Sequence, residues 1–124
     1  MKTILVVEDD QALQDAVCMK LKKEGINCLT AKSSQEAIKH LKSAEAIDAV
    51  WLDHYLIGDL NGIEIVEELR QMKNRHNLPV YVVSNTVSPE KVEEYFKLEA
   101  KKYYVKSDYR LEEIVDDIKS GWQE

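Results

Sequence analysis

No run of basic residues, no long apolar segment and no CxxC pair occurs among the 124 residues, and each absence excludes a class of protein. Lys and Arg number 17 against 23 Asp and Glu, a net charge of −6. The densest basic clusters, Lys20-Leu21-Lys22-Lys23 and Lys101-Lys102, cannot neutralise a row of phosphates, so direct nucleic-acid binding is not expected. They read as solvated helix faces or ends. No stretch approaches the about 18 apolar residues that a bilayer crossing needs, so no membrane partner is expected. Cys18 and Cys28 are the only cysteines. Without a CxxC or a secretory apolar region before them, they are expected as small buried hydrophobes, reduced, in a cytoplasmic protein. There is no repeat, linker or low-complexity segment. The length suits one domain over residues 1–124, with a single core and no output domain.

What is present is a regular alternation. Short β-branched apolar runs predict buried parallel strands at Thr3–Val7, Ile26–Thr30, Ala49–Leu52, Val80–Val83 and Tyr103–Val105. Helical stripes lie between them: Leu13, Val17 and Leu21; Ala37, Ile38 and Leu41; Ile65, Val66, Leu69 and Met72; Val92, Tyr95 and Phe96. A last stripe comprises Leu111, Ile114, Val115, Ile118 and Trp122. Ser33 with Glu36 and Asn61 with Glu64 have capping-box spacing, Ser88 precedes a first-turn Pro89, and Asp108 is placed to cap the last helix. Gly25 fits the position just past the first helix. The pattern predicts an α/β protein of (βα)5 type, a parallel sheet covered by helices on both faces with right-handed crossovers.

Ligands of such sheets bind beyond the C-terminal strand ends. There the first strand delivers Glu8, Asp9 and Asp10, the third Asp53, the fourth Ser84 and the fifth Lys106. Each alone has an ordinary reading as a cap, turn or surface residue. Together, carboxylates with one ammonium and one hydroxyl suit a hard-cation site beside an anion site. Mg2+ takes one or two carboxylates plus phosphate oxygens, and Lys and Ser would hold the remaining oxygens of a phosphoryl group.

The ordered set "VVEDD", "VWLDHY", "VVSN" and "YYVKS" resembles the receiver domain of bacterial two-component response regulators over essentially the whole chain. The resemblance implies a flavodoxin-like three-layer fold with strand order 2-1-3-4-5. It implies Asp53 as the nucleophile that accepts a phosphoryl group from a histidine kinase or histidine phosphotransfer protein. Mg2+ (or Mn2+) would be held by Glu8, Asp9, Asp53 and the carbonyl of Tyr55. Ser84 and Lys106 would contact phosphoryl oxygens, Tyr103 would be the switch aromatic, and Asp10 would begin the first helix. Output would go to a downstream protein through the face formed by the fourth helix, fifth strand and fifth helix, or along a phosphorelay.

Three positions depart from the family pattern: Ile57 replaces the usual Pro after Asp53 and Gly62 comes one residue late; Asn85 replaces a small residue after Ser84; Ser107 replaces a Pro after Lys106. A non-proline cis bond costs about 2.5–4 kcal/mol, so Lys106–Ser107 is expected to be trans. Tyr55 and Asn85 add bulk near the path of a hydrolytic water, implying slow loss of a phosphoryl group. Among the remaining residues, strand alternation turns His54 away from Asp53 and places Trp51 on the same side as Asp53. His40 and His76 are expected on the surface, and one of Tyr103, Tyr104 and Tyr109 in the core. A flavin carrier is disfavoured by three acids where its phosphate would sit. An Asp-based hydrolase is disfavoured by Tyr55 where a second acid would be needed, so no small-molecule turnover is expected. The remaining alternative is a degenerate receiver used only as a protein-binding module.

Overall fold

The computed structural model describes residues 1–56, 58–85 and 88–122. Its elements run β1 (Thr3–Val7), α1 (Gln11–Lys23), β2 (Asn27–Ala31), α2 (Ser34–Lys42), β3 (Ala49–Leu52), α3 (Gly62–Gln71), β4 (Val80–Ser84), α4 (Pro89–Lys97), β5 (Lys102–Val105), a 3-10 turn (Lys106–Asp108) and α5 (Leu111–Trp122). All strand pairs are parallel and the order is β2-β1-β3-β4-β5. The (βα)5 flavodoxin-like expectation holds, with β2 displaced one residue from Ile26–Thr30, β4 extended by Ser84 and β5 begun at Lys102.

Every residue of β1, β3 and β4 is buried, which is why these strands read as continuous apolar runs. Their two-residue alternation sorts the side chains into two cores. Leu5, Val7, Val50, Leu52, Val80 and Val82 pack with α2, α3 and Tyr95 of α4. Ile4, Val6, Ala49, Trp51, Tyr81 and Val83 pack with α1 and α5. Of the three tyrosines in question, Tyr104 is buried in this second core and Tyr109 is exposed.

Several helix ends form as their residues dictate. Asp10 accepts from the Leu13 N–H at 3.1 Å and caps α1. At the other end Gly25 takes φ +76°, with Gly25 N–H donating to Lys22 O and Ile26 N–H to Leu21 O, a Schellman closure. Asn61 and Glu64 form the full reciprocal box. At α2, Ser33 caps Glu36 N–H, but the Glu36 carboxylate takes the N–H of Lys32. Ser88 precedes Pro89 without a side-chain capping bond. Arg70 donates to Leu98 O, Glu99 O, Leu78 O and His76 O, and Arg75 to Leu41 O, Ser43 O and Glu45 O. Two guanidinium forks thus satisfy carbonyls around the C-terminal ends of α4 and α2.

Further expectations are corrected, among them the single core, which is two. Cys18 and Cys28 are half-buried and joined in a disulfide, because α1 packs back on β2 and brings their Cα atoms to 5.6 Å. The argument for a reduced compartment therefore falls. Asp108 does not cap α5: the 3-10 turn consumes it, and Arg110 N–H donates to Glu113 Oε1 instead. In α1, Gln14 lies fully in the buried face with Val17 and Leu21, whereas Leu13 is only partly buried. In α4, Tyr95 alone is buried, and Phe96 is 49% exposed. His40 is half-buried, bonded to Glu45 Oε1 at 2.6 Å and Thr30 O at 3.0 Å. His76 is on the surface as expected. Among the described residues no peptide bond is cis, so Lys106–Ser107 is trans as expected. Ile57 lies outside the described residues.

Glu99, just past α4, is the one non-glycine residue at positive φ among those described, at +65°. It occupies the left-handed position of a Schellman turn, with Ala100 N–H donating to Tyr95 O and Glu99 N–H to Phe96 O. An L side chain there is strained by about 1–2 kcal/mol, partly offset by the lower chain entropy of a non-glycine residue when unfolded. Glu99→Gly is expected to stabilise the protein by about 0.5–1 kcal/mol in denaturant unfolding. A loss of stability would show that the Glu99 side chain makes a compensating contact.

Candidate functional site

The site follows from strand register. Val7 pairs with Leu52, so the next residues, Glu8 and Asp53, leave adjacent strands at the same level. Ser84 pairs with Val105, so Lys106 emerges immediately beyond the end of β4. Alternation sends Glu8, Asp53 and Lys106 toward the α1/α5 layer, where Lys106 Nζ lies 2.8 Å from Glu8 Oε1 and 3.3 Å from Asp53 Oδ2. Oxygens of Glu8, Asp9 and Asp53 lie within 4.8 Å of one another. Glu8, Asp53 and Ser84 are buried, and Asp9 and Lys106 half-buried.

Backbone contacts hold this arrangement. Asp53 N–H donates to Val7 O and Glu8 N–H to Ala31 O, both at 3.0 Å. The buried Gln14 amide donates to Glu8 O and Ala31 O. Sequence reasoning missed Gln14; the available signal was a polar residue in register with Val17 and Leu21 on the apolar face of α1. Glu8 Oε2 accepts the N–H of Asp10, which ties the acidic run to the start of the helix.

Burial pushes the Glu8 carboxyl upward, and the nearby Asp53 charge adds to this; contact with Lys106 and the Asp10 N–H offsets only part. Burial alone would lower the Lys106 ammonium, but Glu8 and Asp53 together raise it. Lys106 is thus a half-buried cation shared by two acids. Glu8 Oε1 forms an ion pair with Lys106 at 2.8 Å and has no other partner among the described residues. A buried carboxylate oxygen with an unclaimed lone pair, beside two more carboxylates, fits a hard divalent cation.

On the opposite side of the same segment, His54 turns away from the acids, as alternation requires. It is buried, and its Nδ1 lies 2.7 Å from the Tyr95 hydroxyl. Burial, with the Lys91 charge adding to it, holds this imidazole below its usual range. Tyr95 stacks at a tilt on the half-buried Tyr103, 5.8 Å between centroids. Tyr55 is 59% exposed, its ring 5.2 Å from Lys91 Nζ. Asn85, beside Ser84, is exposed. Trp51 is fully buried beneath the acids, on the side expected.

A parallel 2-1-3-4-5 sheet whose C-terminal edge gathers acids, a lysine and a hydroxyl defines the receiver class of α/β protein. Comparison with known proteins agrees. Residues 4–119 match the response regulator receiver domain family. The Bacillus subtilis (strain 168) alkaline phosphatase synthesis transcriptional regulatory protein PhoP is 35% identical over 72 residues, 58% of this chain and 29% of that protein. The two-component response regulator ORR8 of Oryza sativa subsp. indica is 26% identical over 103 residues, 83% of this chain and 84% of that one. A CheY-like response regulator receiver domain protein from Methanospirillum hungatei JF-1 superposes with TM-score 0.88 at 25% identity, covering 98% of this chain and 93% of that chain. This chain belongs to the response regulator receiver domain family. It spans less than a third of some of the relatives it matches and most of others.

The raised Glu8 carboxyl has a consequence for stability. A carboxyl that binds its proton more tightly when folded favours the fold below its unfolded pKa, about 4.3, and loses that contribution as pH rises through the folded value. Glu8→Gln removes the loss. In metal-free buffer at pH 7 its urea midpoint is expected at or above that of the unsubstituted protein, with the advantage shrinking as pH falls toward 4. A lower midpoint at pH 7 would mean the Lys106 pair outweighs the burial of Glu8.

Proposed function

We propose that Asp53 accepts a phosphoryl group from a phosphohistidine, supplied by a histidine kinase or a histidine phosphotransfer protein, and that the modified protein is read by a partner protein. The observation that carries this reading is the convergence of Glu8, Asp9, Asp53 and Lys106 at one strand edge. An Asp53 oxygen attacks phosphorus as the imidazole nitrogen leaves. Lys106 Nζ, already 3.3 Å from Asp53 Oδ2, pairs with oxygens of the incoming group. The Ser84 hydroxyl donates to another. Glu8, Asp9, Asp53 and the carbonyl of Tyr55 are the ligands proposed for Mg2+ or Mn2+. The cation, when bound, offsets repulsion between the acids and the phosphoryl oxygens and neutralises charge developing on them.

Ser84 closes a strand whose alternation turns it toward the layer of Tyr103 and Tyr95, so its movement toward a phosphoryl group would be felt by Tyr103. The output surface is proposed to be the α4-β5-α5 face. The protein acts as a self-phosphorylating acceptor and not as a catalyst of small-molecule turnover.

Two outcomes are expected. Treated with acetyl phosphate and Mg2+, the protein gains one phosphoryl mass by intact-mass spectrometry, and Asp53→Asn gains none; labelling retained in that variant would overturn the assignment. Asp9→Ala weakens Mg2+ binding at least about tenfold, about 1.4 kcal/mol, in a titration followed by Trp51 fluorescence. Asp10→Ala, which removes only a helix cap, changes it far less. Reversal of that order would exchange the roles of the two acids.

A further inference from the structure

α4 is moored to the sheet by little. Tyr95 is its single buried residue, against three in α5 and five in α3. The Tyr95 ring meets His54 edge-on at 5.7 Å and leans on Tyr103, and its hydroxyl is hydrogen-bonded to His54 Nδ1 at 2.7 Å. His54 follows Asp53 in the chain and is itself clamped, its carbonyl accepting the N–H of Gly62 at 3.0 Å. Gly62 makes room for the contact: a Cβ there would strike the Tyr95 hydroxyl and come within 3.0 Å of His54 Cα. The end of α4 is held separately, by Arg70 on the carbonyls of Leu98 and Glu99. Among the described residues Lys91 also contacts Tyr55 of the Asp53 loop, at an exposed position where water and salt weaken the contact.

We propose that the buried His54–Tyr95 hydrogen bond is the positioning contact through which events at Asp53 are transmitted to α4. Neither residue touches the reacting atoms. Because Asp53 and His54 are consecutive and face opposite layers, a backbone shift at Asp53 must move the imidazole in the α4 layer. The bond and the packed rings are a continuous physical link of the kind that carries coupling between sites. The inference rests on the phosphoryl-acceptor reading above and adds to it the route of transmission, with Tyr95 as the element's anchor.

The test uses the whole chain, 15N-labelled, with Mg2+ and beryllofluoride added as a phosphoryl mimic. In the unsubstituted protein, amides flanking Asp53, Ser84 and Lys106 and those of residues 90–97 are expected to shift together. In Tyr95→Phe the shifts at the site persist, with beryllofluoride affinity within about threefold, and those of 90–97 collapse toward zero. His54→Leu behaves the same way. His54→Asn, whose amide can donate or accept near the Nδ1 position, retains the α4 response, and so does Lys91→Ala. A merely structural role for the pair predicts equal α4 responses in all variants, and that result would overturn the proposal. Should Tyr95→Phe fail to fold, the contrast between His54→Leu and His54→Asn decides it. If the site amides of the unsubstituted protein do not respond at all, the acceptor reading fails, and this inference with it. If they respond while residues 90–97 stay still, this inference alone fails.

Discussion

The site depends on a charge constraint: Glu8, Asp9 and Asp53 are held close, and one ammonium, Lys106, lies between two of them. Burial and the nearby Asp53 charge both disfavour ionisation of Glu8. Lys106 relieves part of this cost from a strand two places from β3 in the sheet, so the balance exists only when β1, β3 and β5 are in register. Removing the lysine would leave buried carboxylates uncompensated, which is costlier than the pairing is favourable. The acid-rich edge is thus a place where the fold gives up stability to keep three carboxylates together.

The same two-residue alternation that fills the two cores separates two roles at the end of β3. Asp53 faces the α1/α5 layer with Glu8 and Lys106. His54, its neighbour, faces the α2/α3/α4 layer with Tyr95. A carboxylate of the acidic edge and a buried contact to α4 can therefore occupy consecutive residues without competing for space. The layer that receives His54 is also the one holding the least anchored helix. α5, by contrast, is held by Ile114, Val115 and Ile118, with Lys119 bonded to Glu24 across to the end of α1.

Sequence alone determined the element order, the two-faced burial of the central strands and the six strand-end polar residues, because each rests on local pattern: β-branched runs, period-3.6 stripes and helix-end signals such as Gly25 and the Asn61–Glu64 box. The resemblance to receivers added the strand order, which local pattern does not contain. Only the tertiary structure decided which distant residues meet. Cys18 and Cys28 are ten residues apart on different elements, and nothing in their spacing says that α1 returns onto β2. Tyr95 and His54 are separated by 41 residues, and both read as ordinary members of a helix stripe and a strand end. Gln14, Arg70 and Arg75 act on carbonyls of other elements, and carbonyls carry no sequence signature. Hydrophobic periodicity specifies which face of an element is buried; only the packed sheet and helices specify what that face is buried against.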